Sequence, residues 1–208
     1  MSETVINALP AVALATALAW GAGLRLYAVL FLIGLAGRLG WIALPDHLAV
    51  LSTDIVLAAS GFMMGVEFFA DKVPWLDSLW DAIHTVIRIP AGAALAAAVF
   101  GDSGAGVAVA AAILGGTISA GSHFTKAGAR GAINASPEPF TNWGLSLGED
   151  AAVPTGLWLA IAHPAVFLLA LALLAVAVFY LWRRVAGGLS RPTEKRAIAE
   201  SGGQPGGR

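Results

Sequence analysis

Between Thr4 and Leu24, and again between Ala151 and Trp182, the chain carries no Asp, Glu, Lys or Arg. An α-helix rises 1.5 Å per residue, so about 20 such residues cross the ~30 Å hydrocarbon layer of a bilayer. Apolar runs of this length restrict the chain to a few architectures. In hydrocarbon every backbone N–H and C=O must be satisfied internally, and the runs of Ala, Leu, Val, Ile and Gly lack the alternation of a barrel strand. The expected fold is therefore all-α: a polytopic integral membrane protein of roughly five or six hydrophobic passes. Composition agrees, because only 12% of the 208 residues are charged, against about 25% in a soluble domain.

The passes read as follows. The first apolar stretch, Thr4 to Leu24, is interrupted by Gly21-Ala22-Gly23 and runs through Arg25 into Leu26 to Gly37, which predicts a broken helix or tight hairpin. No Lys or Arg precedes Arg25, so this stretch lacks the basic start of a cleavable signal peptide. Pro45-Asp46 marks a turn before Leu48 to Phe69, which contains Asp54 and Glu67. After Lys72-Val73-Pro74, the residues Trp75, Leu76, Leu79, Trp80, Ile83, Val86 and Ile87 recur at helical spacing opposite Asp77, Asp81 and His84, as in an interfacial amphipathic helix. Ile89 to Gly101 is a short apolar run. Ala105 to Ser122 is uncharged and leads into His123, Lys126 and Arg130, and Asn134 to Asn142 reads as loop. Pro154 and Pro164 divide the last apolar region into a half-helix and a full span. The expected organisation is one membrane domain over 1–186, with a disordered tail over 187–208. Arg183, Arg184, Arg191, Lys195 and Arg196 place the C-terminus in the cytoplasm by the positive-inside rule.

The order of motifs repeats. Gly21-Ala22-Gly23-Leu24-Arg25 corresponds to Ser119-Ala120-Gly121-Ser122-His123, and Gly61 to Glu67 corresponds to Gly144 to Asp150, the latter two each followed within ten residues by Val-Pro (Val73-Pro74, Val153-Pro154). Two halves, about 1–102 and 103–186, would meet near Asp102. Gly- or Pro-interrupted hydrophobic segments in matching positions of two halves point to a transporter's central site. The glycines expected to break or open helices are Gly21, Gly23, Gly61, Gly65, Gly121, Gly144 and Gly148. Close helix packing alone is the competing explanation of their spacing.

A charge in the middle of a membrane helix costs about 2.5–3.5 kcal/mol on insertion scales, so such a group must be paired or line water. Arg25, Glu67, His123, Lys126, Glu149 and Asp150 are therefore the candidate substrate or ion pathway. The cationic and anionic clusters alternate along each half, which favours pairing across the halves. Gly144-Leu145-Ser146-Leu147-Gly148 fits the Gly-x-Ser-x-Gly pattern of a serine nucleophile, with His123 or His163 as base. Met63 stands at the matching place in the first half, so the glycine spacing is the shared feature, and no catalytic residue is assigned. Gly101-Asp102-Ser103-Gly104 reads as an ordinary turn. Asp81 with His84, or His123 with Glu149 and Asp150, offers nitrogen and oxygen ligands, but no close pair of metal-ligand spacing accompanies them and no metal or cofactor is expected. The chain has no cysteine, which removes thiolate chemistry, and a net charge of −1 without a basic face removes nucleic acid as a partner.

With Gly21 to Arg25, Gly61 to Glu67, Ser119 to Lys126 and Asn142 to Asp150 in view, the chain resembles a bacterial membrane family, the domain of unknown function 4126. The resemblance covers about Leu14 to Val178 and is most specific over Ser119 to Arg130. It implies a polytopic protein of the bacterial inner membrane and brings no activity, substrate or catalytic residue. The reading that follows from the residues is a small secondary transporter or channel for a small ion or solute. Its partners would be the lipid bilayer, that ion or solute, and a second copy in a homo-oligomer. A membrane-embedded hydrolase or lipid-modifying enzyme and a non-catalytic scaffold are the alternatives.

Overall fold

The computed structural model describes residues 3–134 and 139–189. Its elements are all helical: α1 (Glu3–Arg38), a 3-10 segment (Asp46–Ser52), α2 (Asp54–Ala70), α3 (Pro74–Val99), a 3-10 turn (Gly101–Ser103), α4 (Ala105–Asn134), α5 (Pro139–Ala162) and α6 (Pro164–Leu189). No strand occurs among the described residues. Among the described residues four stretches are long and apolar enough to cross a membrane: Ala8–Arg38, Leu76–Val99, Ala105–Ile133 and Pro164–Arg184. The 3-10 segment and α2, which meet at 67°, make a fifth if that bent pair is one span. The chain divides into two compact units, residues 1–168 and 169–208. The second consists, in its described part, of the remainder of α6, whose Leu169–Trp182 stretch is wholly uncharged.

Within the first unit α1 is the central element and packs on α2, α3, α4 and α5, while α3 and α4 form the most extensive pair. The interior where α1, α3 and α4 meet is built from small residues, with Ala15, Ala19 and Ala96 at the centre and Val99, Phe100 and Ile118 around them. A Cβ on Gly115 would collide with Ala96, and one on Gly92 would lie 2.5 Å from Ser119 Cβ, so hydrogen atoms here let the two backbones approach. Large apolar side chains point the other way: Ile55, Phe62, Val86, Ile113 and Phe140 are exposed, whereas Arg25, Glu67, Arg88 and Arg130 are buried. A soluble domain has the reverse distribution, so the outward face is one for lipid.

Several elements differ from the reading of the sequence. The polar stripe Asp77, Asp81, His84 and Arg88 lies at helical spacing on one face of α3 and is buried, while Leu79, Ile83, Val86 and Ile87 are exposed. The polar face of the amphipathic helix is therefore turned to protein, not to water as expected of an interfacial helix. This stretch is the first part of one 26-residue helix whose polar face turns inward because the charged partners lie there. The side chain of Trp75 is outside the described residues. α4 is continuous through Ser119-Ala120-Gly121, so no break matches the one in α1. Pro154 does not end a half-helix; α5 runs to Ala162, and the division comes at His163, the residue before Pro164. The predicted loop at Asn134 to Asn142 contains the start of α5, and its residues 135–138 lie outside the described set. The predicted tail is also almost wholly outside it.

Candidate functional site

The site begins with a fault in α1. Arg25 has φ −144° and ψ 78°, which is not helical, and it sits nearly two-thirds of the way along the 36-residue helix, just after Gly21-Ala22-Gly23. Breaking the ladder frees carbonyls that hydrocarbon cannot satisfy. α4 supplies the donors: Ser122 Oγ bonds Trp20 O at 2.9 Å and Lys126 Nζ bonds Leu24 O at 3.2 Å. Gly23 permits this approach, since a Cβ there would collide with Ser122 Oγ and Ser119 O. By contrast a Cβ on Gly65, Gly121, Gly144 or Gly148 would meet no atom within 4 Å, so neither a helix break nor close packing accounts for them; one on Gly61 would lie 3.0 Å from the Phe31 ring, and one on Gly21 would collide with Val29.

Charged side chains from five helices converge below the break. Arg25 Nη1 lies 2.8 Å from Asp71 Oδ2, and its Nη2 reaches Asp150 at 3.1 Å and both O and Oγ of Ser146 at 3.0 Å. Arg88 donates to Glu67 and Asp81, each at 2.6 Å. Arg130 donates to Glu149 at 2.8 Å, to Asn142 at 3.1 Å and to Asp71 O at 3.0 Å. It also lies 2.9 Å from Asp77 without the alignment of a hydrogen bond. Lys126 joins the groups, with Asp71 at 3.2 Å, Glu149 at 3.3 Å and Asp81 at 3.5 Å. The carboxylates of Glu67, Asp71, Asp77, Asp81, Glu149 and Asp150 outnumber the cations Arg25, Lys72, Arg88, Lys126 and Arg130 by one. Glu67 Oε2, Asp71 Oδ1 and Asp81 Oδ2 are buried without a protein hydrogen-bond partner.

Asp71 caps α2 in the turn before α3, outside the spanning stretches. Burial works against its ionisation, but Lys126, Arg25 and Arg130 together outweigh that and hold its carboxyl below the ordinary aspartate range. One oxygen each of Asp71, Asp77 and Asp81 lies within 4.8 Å of the others. Lys126 already brings positive charge to two of the three, so the trio is part of the ion-pair network rather than a free ligand set.

Two histidines extend the network. Thr85 donates to Asp81 O, so His123 Nε2 is the donor in the 2.7 Å bond it shares with Thr85 Oγ1, which leaves Nδ1 to face Arg88 at 3.4 Å. His84 Nδ1 bonds Trp80 O at 2.8 Å, its Nε2 meets Tyr27 at 3.2 Å, and its ring stacks on Trp80. Among the described residues no hydrogen bond joins Ser146 to a histidine. Its hydroxyl instead accepts from Arg25, which leaves no nucleophile–base pair for the serine-hydrolase pattern.

A cavity of about 340 Å³ opens beside the break, between α1, α2 and α5. Arg25, Glu149 and Asp150 line its polar end, and Leu32, Met64, Phe68 and Val153 belong to its apolar wall.

The six polar residues chosen from the sequence, Arg25, Glu67, His123, Lys126, Glu149 and Asp150, thus all fall in one network. Sequence reasoning placed Asp71 with Glu67 in the anionic cluster but left it out of the candidate site, and missed Arg88, Asp77, Asp81 and Asn142 as partners. The signal was present in the spacing of Asp77, Asp81, His84 and Arg88, but a polar stripe on a helix was assigned to water.

The family profile of the domain of unknown function DUF4126 matches residues 12–184. The chain belongs to this family. The match covers α2 to α5 entirely and all of α1 that the network uses, so the site is a property of the DUF4126 region rather than of an added segment. No curated protein and no solved structure matches the chain.

Proposed function

We propose that this DUF4126 protein is a small secondary transporter of the bacterial inner membrane, with its C-terminus in the cytoplasm and its substrate site in the cavity at the α1 break. One observation carries the reading: a helix long enough to span is broken at a buried arginine that is among the residues lining a cavity. Irregular backbone at membrane depth is tolerated where it is enclosed by protein or lines a cavity, and discontinuous helices are how transporters build their sites. The surplus carboxylate and the oxygens without donors support proton coupling, because a buried cluster of uneven charge lowers its energy by taking up a proton. The halves about 1–102 and 103–186 hold three long helices each, α1 to α3 and α4 to α6, which supports a repeat in helix number, while the break in α1 has no counterpart in α4.

The test is flux into proteoliposomes under an imposed pH gradient, with Glu67→Gln and Arg25→Lys beside the wild type. Glu67→Gln keeps an acceptor for Arg88 but removes the titrating oxygen, so proton flux is lost while the protein stays folded. Wild-type flux in a folded Glu67→Gln protein removes Glu67 from the mechanism, and no flux above empty liposomes counts against transport.

A further inference from the structure

Lys72 differs from every other cation of the site. Arg25, Arg88, Lys126 and Arg130 are buried and held by contacts of 3.2 Å or less, whereas Lys72 is 18% exposed and reaches its carboxylate partner Asp150 only at 3.5 Å. Its ammonium nevertheless rests in a well-formed seat. Nζ lies 3.1 Å from the centre of the Phe68 ring, 3.1 Å from Phe68 O, and 3.5 Å from both Ser146 Oγ and Asp150 Oδ2. An aromatic face is negative, and the three oxygens match the three N–H donors of a primary ammonium.

Two members of this seat, Phe68 and Asp150, also line the cavity. Asp150 has a quarter of its side chain open, while the other ionic groups on the wall, Arg25 and Glu149, are closed in by their own partners. Arg25 directs both terminal nitrogens at Asp71, Asp150 and Ser146, so it offers an incoming anion little. The site as a whole has more carboxylates than cations. The charge, the acceptors and the ring all favour a cation, and the walls of Leu32, Met64 and Val153 favour an apolar body attached to it.

From this geometry we infer that the cavity binds a hydrophobic primary amine, whose ammonium takes the place of Lys72 between Phe68, Ser146 and Asp150 while its apolar part lies along α1, α2 and α5. Lys72 is the tethered occupant that keeps the seat filled, and its four-carbon stem lets the ammonium swing out. The inference rests on the transport reading for taking this cavity as the substrate site, but it is tested by binding without flux. A free amine and a lipid with a primary ammonium headgroup share the required chemistry.

The experiment is calorimetric titration of phenethylamine into the full chain in nanodiscs of phosphatidylglycerol alone, with folding of each variant checked by gel filtration and thermal unfolding. Lys72→Ala empties the seat and is expected to tighten binding by about tenfold, whereas Phe68→Leu and Asp150→Asn weaken it by about three- to thirtyfold. Opposite signs from neighbouring positions are what a ligand seat produces and a merely structural role does not. Weaker apparent binding in nanodiscs that also contain phosphatidylethanolamine identifies the lipid headgroup as the occupant; unchanged binding identifies the free amine. No binding to folded Lys72→Ala protein, or wild-type affinity in both Phe68→Leu and Asp150→Asn, overturns the inference. Binding without flux leaves it standing and counts against the transport reading alone, while proton flux without amine binding does the reverse.

Discussion

Individual buried charges decide whether this chain can fold at all. Arg88 is fully enclosed and is the partner of both Glu67 and Asp81 at 2.6 Å. Arg88→Met would leave two carboxylates facing one another out of water, and breaking a buried pair costs about 3–5 kcal/mol. The expected outcome is a large fall in thermal unfolding temperature in detergent, partly recovered in the triple variant Glu67→Gln/Asp81→Asn/Arg88→Met; equal instability of the two proteins would show that packing, not charge, is what Arg88 supplies. Asp71 gives a second prediction, this time in pH. Its folded carboxyl titrates below the ordinary aspartate value of about 3.9, so the stability it contributes is complete above that value and is lost as pH falls through the lower, folded one. Unfolding temperatures measured from about pH 6 down to pH 3 should therefore drop at the acid end, with a smaller drop in Asp71→Asn. Such residues were legible in the sequence only as charges in apolar surroundings. Arg25, Glu67 and Lys126 stood out for that reason, whereas Asp77, Asp81 and Arg88 sat in a pattern that a water-facing helix shares.

α3 shows why an element's period does not settle which side faces what. The sequence fixes that Asp77, Asp81, His84 and Arg88 lie opposite Leu79, Ile83 and Val86, but inward and outward are decided by the solvent outside and the partners inside. Because the chain has no cysteine, single cysteines report this directly. Ile83→Cys and Val86→Cys carrying nitroxide labels are expected to be relaxed by oxygen dissolved in lipid, and Leu18→Cys, fully buried in α1, should be shielded from both oxygen and water-soluble reagents. Water-soluble relaxation at Val86 would restore the interfacial helix. α1 repeats the lesson for breaks. Gly21 and Gly23 marked the neighbourhood, yet the non-helical residue is Arg25, because its guanidinium must reach Asp71 and Asp150 while α4 closes on Gly23. Gly121 of α4 and Gly144 and Gly148 of α5 resemble them in spacing and break nothing, since no side chain from another element enters there.

Across the whole molecule, apolar run length by itself determined that the chain is helical with several elements fit to cross a bilayer, because hydrocarbon allows uncharged segments of that length few other structures. Composition removed thiolate chemistry for the same elementary reason, and the Gly21 to Arg25 and Ser119 to Arg130 motifs were enough to reach the family. The flux expected of Arg25 and Glu67 is likewise a claim about the assembly, since each draws its partners from other helices. Only the tertiary structure decided which charges meet, that α3 turns its polar face inward, and that a cavity forms at the α1 break. Pairing energies depend on distance and on the exclusion of water, and residues such as Arg25 and Ser146, 121 positions apart, come within 3.0 Å only once α1 and α5 have packed. A sequence records the period of an element and the cost of a buried charge; it does not record which neighbour will meet that cost.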